Sequence, residues 1–293
     1  MSQIIKQIEK YNLPEGITDS RLEGVRFFKQ KHHIPRTPLQ YNPGLCFVLQ
    51  GDKTGYLGGK KFQYNENSYL VVPVFIQFEC ETFTTPEAPL LGLYVDINIP
   101  QLLELISAER QKHHGEDHQT LKLGMGAAEM EEEIFDAVFR LVKSLRSDNE
   151  AQILGPGILR EIYYRALSGP QAPMLYALAA NNGSFSSVAR ALRLLQKNYN
   201  KKLNVDQLAA EESMSTSVFF RAFKEITSES PMQYIKKLRL NKAKDLLMHD
   251  DQKIYAVADS VGYQSTSQFS REFSRHFGKS PARMVEELRV QRT

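Results

Sequence analysis

Two arginines, Arg221 and Arg271, occupy matching places in a segment that the chain repeats fifty positions later. A guanidinium presents a rigid fork of N–H donors, which suits the O6 and N7 acceptors of guanine or the oxygens of a phosphate. The first copy reads Ser215-Thr216-Ser217-Val218-Phe219-Phe220-Arg221-Ala222-Phe223, and the second reads Ser265-Thr266-Ser267-Gln268-Phe269-Ser270-Arg271-Glu272-Phe273. Each runs on to a Ser-Pro pair, Ser230-Pro231 and Ser280-Pro281, and eight of the seventeen positions are identical.

The spacing also predicts what holds these arginines. Phe219, Phe223 and Ile226 recur at helical period in the first copy, and Phe269, Phe273 and Phe277 in the second, so each copy has one apolar face. That face rests on a preceding short helix, through Val205 and Leu208 or through Ile254 and Val257. The opposite face is left with Thr216, Ser217, Phe220, Arg221 and Lys224, and with Thr266, Ser267, Ser270, Arg271 and Arg275. Such a hairpin is the geometry of a helix-turn-helix, whose second helix enters the major groove. Ser215 and Ser265 stand at N-cap positions, and Ser265 with Gln268 has capping-box spacing. Pro231 opens a joining helix that reaches about Met248, a strut of roughly 25 Å that suits successive grooves ~34 Å apart.

These residues, with Leu208-Ala209, Met214-Ser215, Tyr234-Ile235, Arg239-Leu240, Ala243, Leu246-Leu247, Val257-Ala258, Gly262-Tyr263 and Gly278, resemble the AraC/XylS transcriptional regulators over about Phe185 to Leu288. The resemblance implies binding to double-stranded DNA and contact with RNA polymerase. It also places Gln268 on the reading face with Thr216, Ser217, Phe220, Thr266, Ser267 and Ser270. Phe220 suits a thymine methyl, and Lys197, Lys201, Lys202 and Lys279 suit phosphates. One departure is Ser228 where the second copy has Gly278, a helix end that favours the left-handed region. The alternative for the repeat is a helical packing module without nucleic acid. Charge favours DNA: residues 186–293 carry 19 Lys and Arg against 12 Asp and Glu, whereas the rest carries 18 against 22.

The first hundred residues have another texture. Leu45 to Gln50, Thr54 to Leu57, Lys61 to Tyr64, Ser68 to Val72, Phe75 to Phe83 and Leu90 to Asp96 read as short strands between turn signals such as Gly58-Gly59. That pattern predicts a small sandwich or barrel. With Leu49-Gln50-Gly51 and Tyr56-Leu57-Gly58 it resembles the cupin-like N-terminal domain of some AraC-type regulators, which implies a sensory and dimerising part. None of the seven histidines falls in the predicted strands, and the trio His113, His114 and His118 reads as a solvated loop, so no metal or cofactor is expected. The strands offer aromatic and aliphatic walls instead. Tyr69, Phe78, Cys80, Phe83 and Tyr94 are the expected pocket residues for a small, largely apolar effector.

Between these parts, Pro100 to Ile106 starts a helix, and Ile134, Val138, Leu141 and Leu145 form a long apolar stripe. By itself that stripe suits packing on the barrel, while the resemblance implies a homodimer seam. Ser168 to Pro173 is rich in breakers. The expected architecture is α+β with two domains: 1–167, a cupin-like β-barrel with following helices; 168–184, a linker; and 185–293, an all-α domain of two helix-turn-helix motifs joined by a linker helix. Cys46 and Cys80, the only cysteines, form no disulfide framework, and no secretion signal or membrane span is visible, which fits the cytoplasm. A catalytic or metal-binding cupin fused to a DNA reader is the rival. Repair by alkyl transfer needs an activated thiolate, and Glu79 and Glu81 beside Cys80 oppose one.

Overall fold

The computed structural model describes residues 2–109, 124–180, 183–249 and 253–292. The N-terminal part runs α1 (Ser2–Glu9), β1 (Gly16–Asp19), β2 (Val25–Gln30), β3 (Ile34–Tyr41), β4 (Gly44–Gln50), β5 (Asp52–Leu57), β6 (Lys60–Asn65), β7 (Ser68–Val72), β8 (Ile76–Phe83) and β9 (Leu90–Asp96). It continues with α2 (Ile99–Glu109), β10 (Gly126–Glu129), α3 (Glu132–Ser144) and α4 (Asp148–Ser168). The strands form two antiparallel sheets, ordered β1-β2-β9-β4-β7-β10 and β3-β8-β5-β6. Gly58 and Gly59 both have positive φ, as a two-residue turn between twisted strands requires, and they close the β5–β6 hairpin.

The larger sheet is buried on both faces. Cys46, Val48, Leu70, Val72 and Tyr94 point into the space between the sheets, where they meet Ile76, Phe78 and Cys80 of the smaller one. Leu45, Phe47, Leu49, Tyr69, Val71 and Leu93 point the other way and pack with α1, α3 and α4. The strands expected from Leu45 onward are all present. The three earlier ones were not anticipated. Pro35 and Pro38 in β3 argue against a strand by composition, yet β3 lies at the edge of its sheet and carries a register shift between Ile34 and Thr37, where missing N–H donors do no harm.

The stripe Ile134, Val138, Leu141 and Leu145 lies inside the chain's own core, each side chain no more than 3% exposed. It cannot be a seam between copies: α3 packs on α4 and α1, and its apolar face is spent there. The stretch expected as a linker is also mostly helical. The α4 helix reaches Ser168, and α5 (Ala172–Ala179) follows with Pro173 in its first turn, where Pro costs no hydrogen bond. Leu175 and Leu178 are buried, so α5 is packed against the body of the chain.

The C-terminal part contains α6 (Ser184–Lys197), α7 (Val205–Glu211), α8 (Thr216–Thr227), α9 (Pro231–His249), α10 (Ile254–Ser260), α11 (Thr266–Phe277) and α12 (Pro281–Arg292). Its two halves differ in their cores. Phe219, Phe223, Leu208 and Tyr234 belong to one apolar cluster continuous with α3 to α6, whereas Phe269, Phe273, Val257 and Leu247 form a separate one. The first hairpin is thus built onto the body of the molecule. The second is attached through α9.

Candidate DNA-binding surface and barrel interior

Helix α8 begins because Ser215 accepts a hydrogen bond from the Val218 amide, and α11 begins because Ser265 accepts one from Gln268. Phe219, Phe223, Phe269 and Phe273 are fully buried, so both helices are pinned by the same two rungs. The face this leaves outward carries Thr216, Ser217, Phe220, Arg221 and Lys224 on α8, and Thr266, Ser267, Gln268 and Arg271 on α11, all exposed, with Ser270 half-buried. Arg221, Lys224 and Arg271 make no ion pair with any described residue. Cationic side chains kept in water and left unpaired retain their donors for an external anion.

Other members of the expected set are committed elsewhere. The Thr216 hydroxyl donates to Asp206 on α7 at 2.7 Å. The side chain of Gln268 donates to Glu272 at 3.3 Å instead of returning to the N-cap, so half of the expected capping box is absent. Glu272 is also held by Tyr263 and Lys236. Lys279 pairs with Glu287, which removes it from the free cations, whereas Lys197, Lys201 and Lys202 are exposed. Arg275 turns toward the barrel and lines a cleft of about 530 Å³ with Arg36, Lys60, Glu79, Lys237 and His276.

Two positioning groups were not anticipated. Arg239 donates to the carbonyls of Tyr199 at 2.7 Å, Lys201 at 2.8 Å and Gly262 at 3.1 Å, tying the loop after α6 to the turn of the second hairpin. Gly262 has positive φ, and a Cβ there would fall 2.4 Å from the Asn200 carbonyl oxygen, so the close approach needs glycine. Tyr234, fully buried, joins α9 to the barrel: its hydroxyl donates to the Phe75 carbonyl at 3.2 Å, and its own carbonyl accepts from Gln77 at 3.3 Å. Position in the chain gave no signal for either, because their partners lie far away in sequence.

In the barrel, the expected Phe78, Cys80 and Tyr94 do face the interior. Tyr69 does not. It is the Cα partner of Phe47, stacks on that ring at 5.3 Å, and lies on the helix side of the sheet. Phe83, 43% exposed at the end of β8, lies against His33 outside. The interior instead holds a polar chain. Lys53, only 8% exposed, donates to Tyr41 at 2.8 Å, Tyr41 and Tyr64 share a bond of 3.1 Å, and Tyr64 is 3.3 Å from the Cys80 sulfur. Burial pushes the Cys46 thiol up to about 11, which opposes thiolate chemistry there. Burial likewise raises Tyr41 and Tyr64, so both are neutral hydroxyls near pH 7. His113, His114 and His118 lie outside the described residues, and among the described residues no cluster of His, Cys, Asp and Glu could hold a metal.

Comparison with known proteins agrees with this layout. Residues 21–174 match the family profile described as the AraC-type transcriptional regulator N-terminus, and residues 208–287 match a helix-turn-helix domain. The chain is 24% identical to the lactose operon transcription activator of Staphylococcus xylosus, over 80% of each chain. It is 26% identical to the Msm operon regulatory protein of Streptococcus mutans, spanning 42% of that relative's length and 40% of its own. With the HTH-type transcriptional activator RhaS of Escherichia fergusonii the identity is 30%, over 49% of this chain and 51% of the relative. Among solved structures, ToxT of Vibrio cholerae bound to an unsaturated fatty acid superposes with a TM-score of 0.58 over 89% of this chain and 94% of ToxT, at 11% identity. That likeness is one of fold: an N-terminal β-rich domain followed by a helical DNA-binding domain. Since the N-terminal match alone spans more than half of the sequence, the chain belongs to the family of AraC-type transcriptional regulators.

Proposed function

We propose that this regulator reads a two-part operator with α8 and α11 in successive major grooves, under the control of a small molecule held by the N-terminal barrel. The observation that carries the reading is the pair of exposed, unpaired guanidiniums, Arg221 and Arg271, at equivalent positions of two helices joined by α9. At 19 residues, α9 is a strut of about 28 Å, close to the ~34 Å between successive major grooves. Thr216, Ser217, Phe220, Lys224, Thr266, Ser267, Gln268, Ser270 and Arg275 are proposed as the supporting contacts, with Arg275 the least free because it lines the cleft.

Effector control is supported by the barrel's buried polar interior and by the fatty acid that ToxT, a protein of the same fold, binds. The proposed assembly is a homodimer acting on RNA polymerase in the cytoplasm. No helix among the described residues is long and apolar enough to cross a membrane. Its dimer contact cannot use the buried α3 stripe. The exposed face of α4, with Ile153, Leu154 and Tyr164, is proposed for it. Selection of random duplexes by the full chain tests the reading: an enriched site with two half-elements about one helical turn apart supports it, and recovery of DNA without a shared sequence contradicts it.

A further inference from the structure

Val218 on α8 and Gln268 on α11 stand at the same place in the two copies, each the third residue of its helix and three before the arginine. That spacing puts each beside its arginine on the helix surface, at the N-terminal end from which such helices touch base edges. Both are exposed. Their chemistry differs completely. Val218 is aliphatic, whereas Gln268 belongs to a polar network: Glu272 accepts from Gln268 Nε2 at 3.3 Å, from the Tyr263 hydroxyl at 2.8 Å and from Lys236 at 3.2 Å.

The first copy shows that the hairpin does not need this network. Ala222 stands where Glu272 does, and Met214 matches Tyr263: each follows a positive-φ residue, Ser213 or Gly262, and donates its amide to the carbonyl of Ala209 or Ala258. An N-cap serine and two buried phenylalanines hold both helices alike. The distinct effect of the network is to orient Gln268.

Burial opposes the charge on Glu272, but the Tyr263, Gln268 and Lys236 donors outweigh it and hold the carboxyl below its usual range. Ionised, it only accepts, so the N–H side of the Gln268 amide must face it. The amide then keeps Oε1, to which no described residue donates, and one further N–H. In the major groove guanine offers two acceptors, thymine an acceptor and a methyl, cytosine a donor, and adenine a donor beside an acceptor. The acceptor and donor left on the amide match adenine. Val218 offers only apolar contact, which suits a thymine methyl.

We infer that Gln268, oriented by Glu272, selects adenine in the half-element under α11, while α8 meets a thymine methyl at Val218 and makes no such amide contact. Glu272 is a positioning residue and touches no base. This deepens the operator reading above and rests on α8 and α11 lying in major grooves.

The test uses the full chain and the operator enriched from random duplexes. In the α11 half-element, one adenine is expected whose replacement by guanine weakens binding roughly tenfold, and by 7-deazaadenine, which lacks only the N7 acceptor, by a smaller factor. Gln268→Ala should remove that discrimination. Glu272→Gln, nearly isosteric but able to donate as well as accept, no longer dictates which way the amide turns. It should lose most of the preference while keeping the salt dependence set by phosphate contacts. In the α8 half-element, uracil in place of one thymine should weaken binding about fourfold, the worth of one buried methyl group, and Val218→Ala should remove the effect. An operator that weakens with Arg221→Ala and Arg271→Ala yet keeps every base preference in Gln268→Ala overturns this inference and leaves the two-helix reading standing. So does a Gln268-dependent position occupied by another base, a preference unchanged in Glu272→Gln, or a uracil scan without effect. DNA recovered without a shared sequence overturns both.

Discussion

At the scale of single residues, the helix ends of the two hairpins provide the cleanest comparison. Ser228 ends α8 with φ of 64°, and Gly278 ends α11 with φ of 75°. The same left-handed conformation strains the serine and not the glycine. Ser228→Gly should therefore raise stability by about 1 kcal/mol, and Gly278→Ala should lower it by a similar amount, in chemical denaturation of the full chain. No change in either would mean that these ends are not under strain. His276 offers a second test. Burial first, then Lys237, Lys244 and Lys236, push its pKa down from 6.5 to about 4 against the opposing pull of Glu79, and its Nε2 is buried without a partner. The folded protein therefore holds it neutral while the unfolded chain protonates near 6.5. Stability from this group is complete above that pH and declines as pH falls from about 6.5 toward about 4. His276→Gln should flatten that segment of a Tm-versus-pH curve, and an identical slope in the variant would rule out His276 as its source.

At the scale of elements, period and punctuation specified a great deal. The strands from Leu45 to Asp96 and both hairpins were legible because turn glycines, alternation and capping serines all point the same way. What stayed hidden was orientation. Where a sheet is buried on both faces, alternation says nothing about which face is the barrel, and Tyr69 was therefore assigned to the wrong side. The α3 stripe failed for a related reason: a helical period shows that a face is buried without naming what covers it. Lys53 was missed because the strand was expected to begin at Thr54, which left the lysine in a turn, although Lys53 and Leu57 share one phase of β5. The exposed α4 residues provide a correction that can be measured. Ile153 is 76% exposed and Tyr164, eleven residues on, falls on the same face. Ile153→Glu should turn a dimer into a folded monomer by light scattering, and a dimer of undiminished strength would exclude this face.

At the scale of the whole molecule, the two hairpins are not equivalent. The first shares its core with the N-terminal part and is further joined to it by the Gly124 amide, which donates to the Ile226 carbonyl at 2.9 Å. The second has a core of its own and touches the barrel through α11 and the cleft holding Arg275 and His276. No sequence period encodes this difference, since it arises from contacts between segments over a hundred positions apart. In the proposed complex both helices read DNA at once. The most direct measurement is a hydroxyl-radical footprint of the full chain on its selected operator, with Arg221→Ala and Arg271→Ala run beside it. Two protected patches about one helical turn apart on one face are expected, each variant weakening its own patch and costing about 1–3 kcal/mol of affinity. A single patch, or protection and affinity unchanged in both variants, would contradict the account.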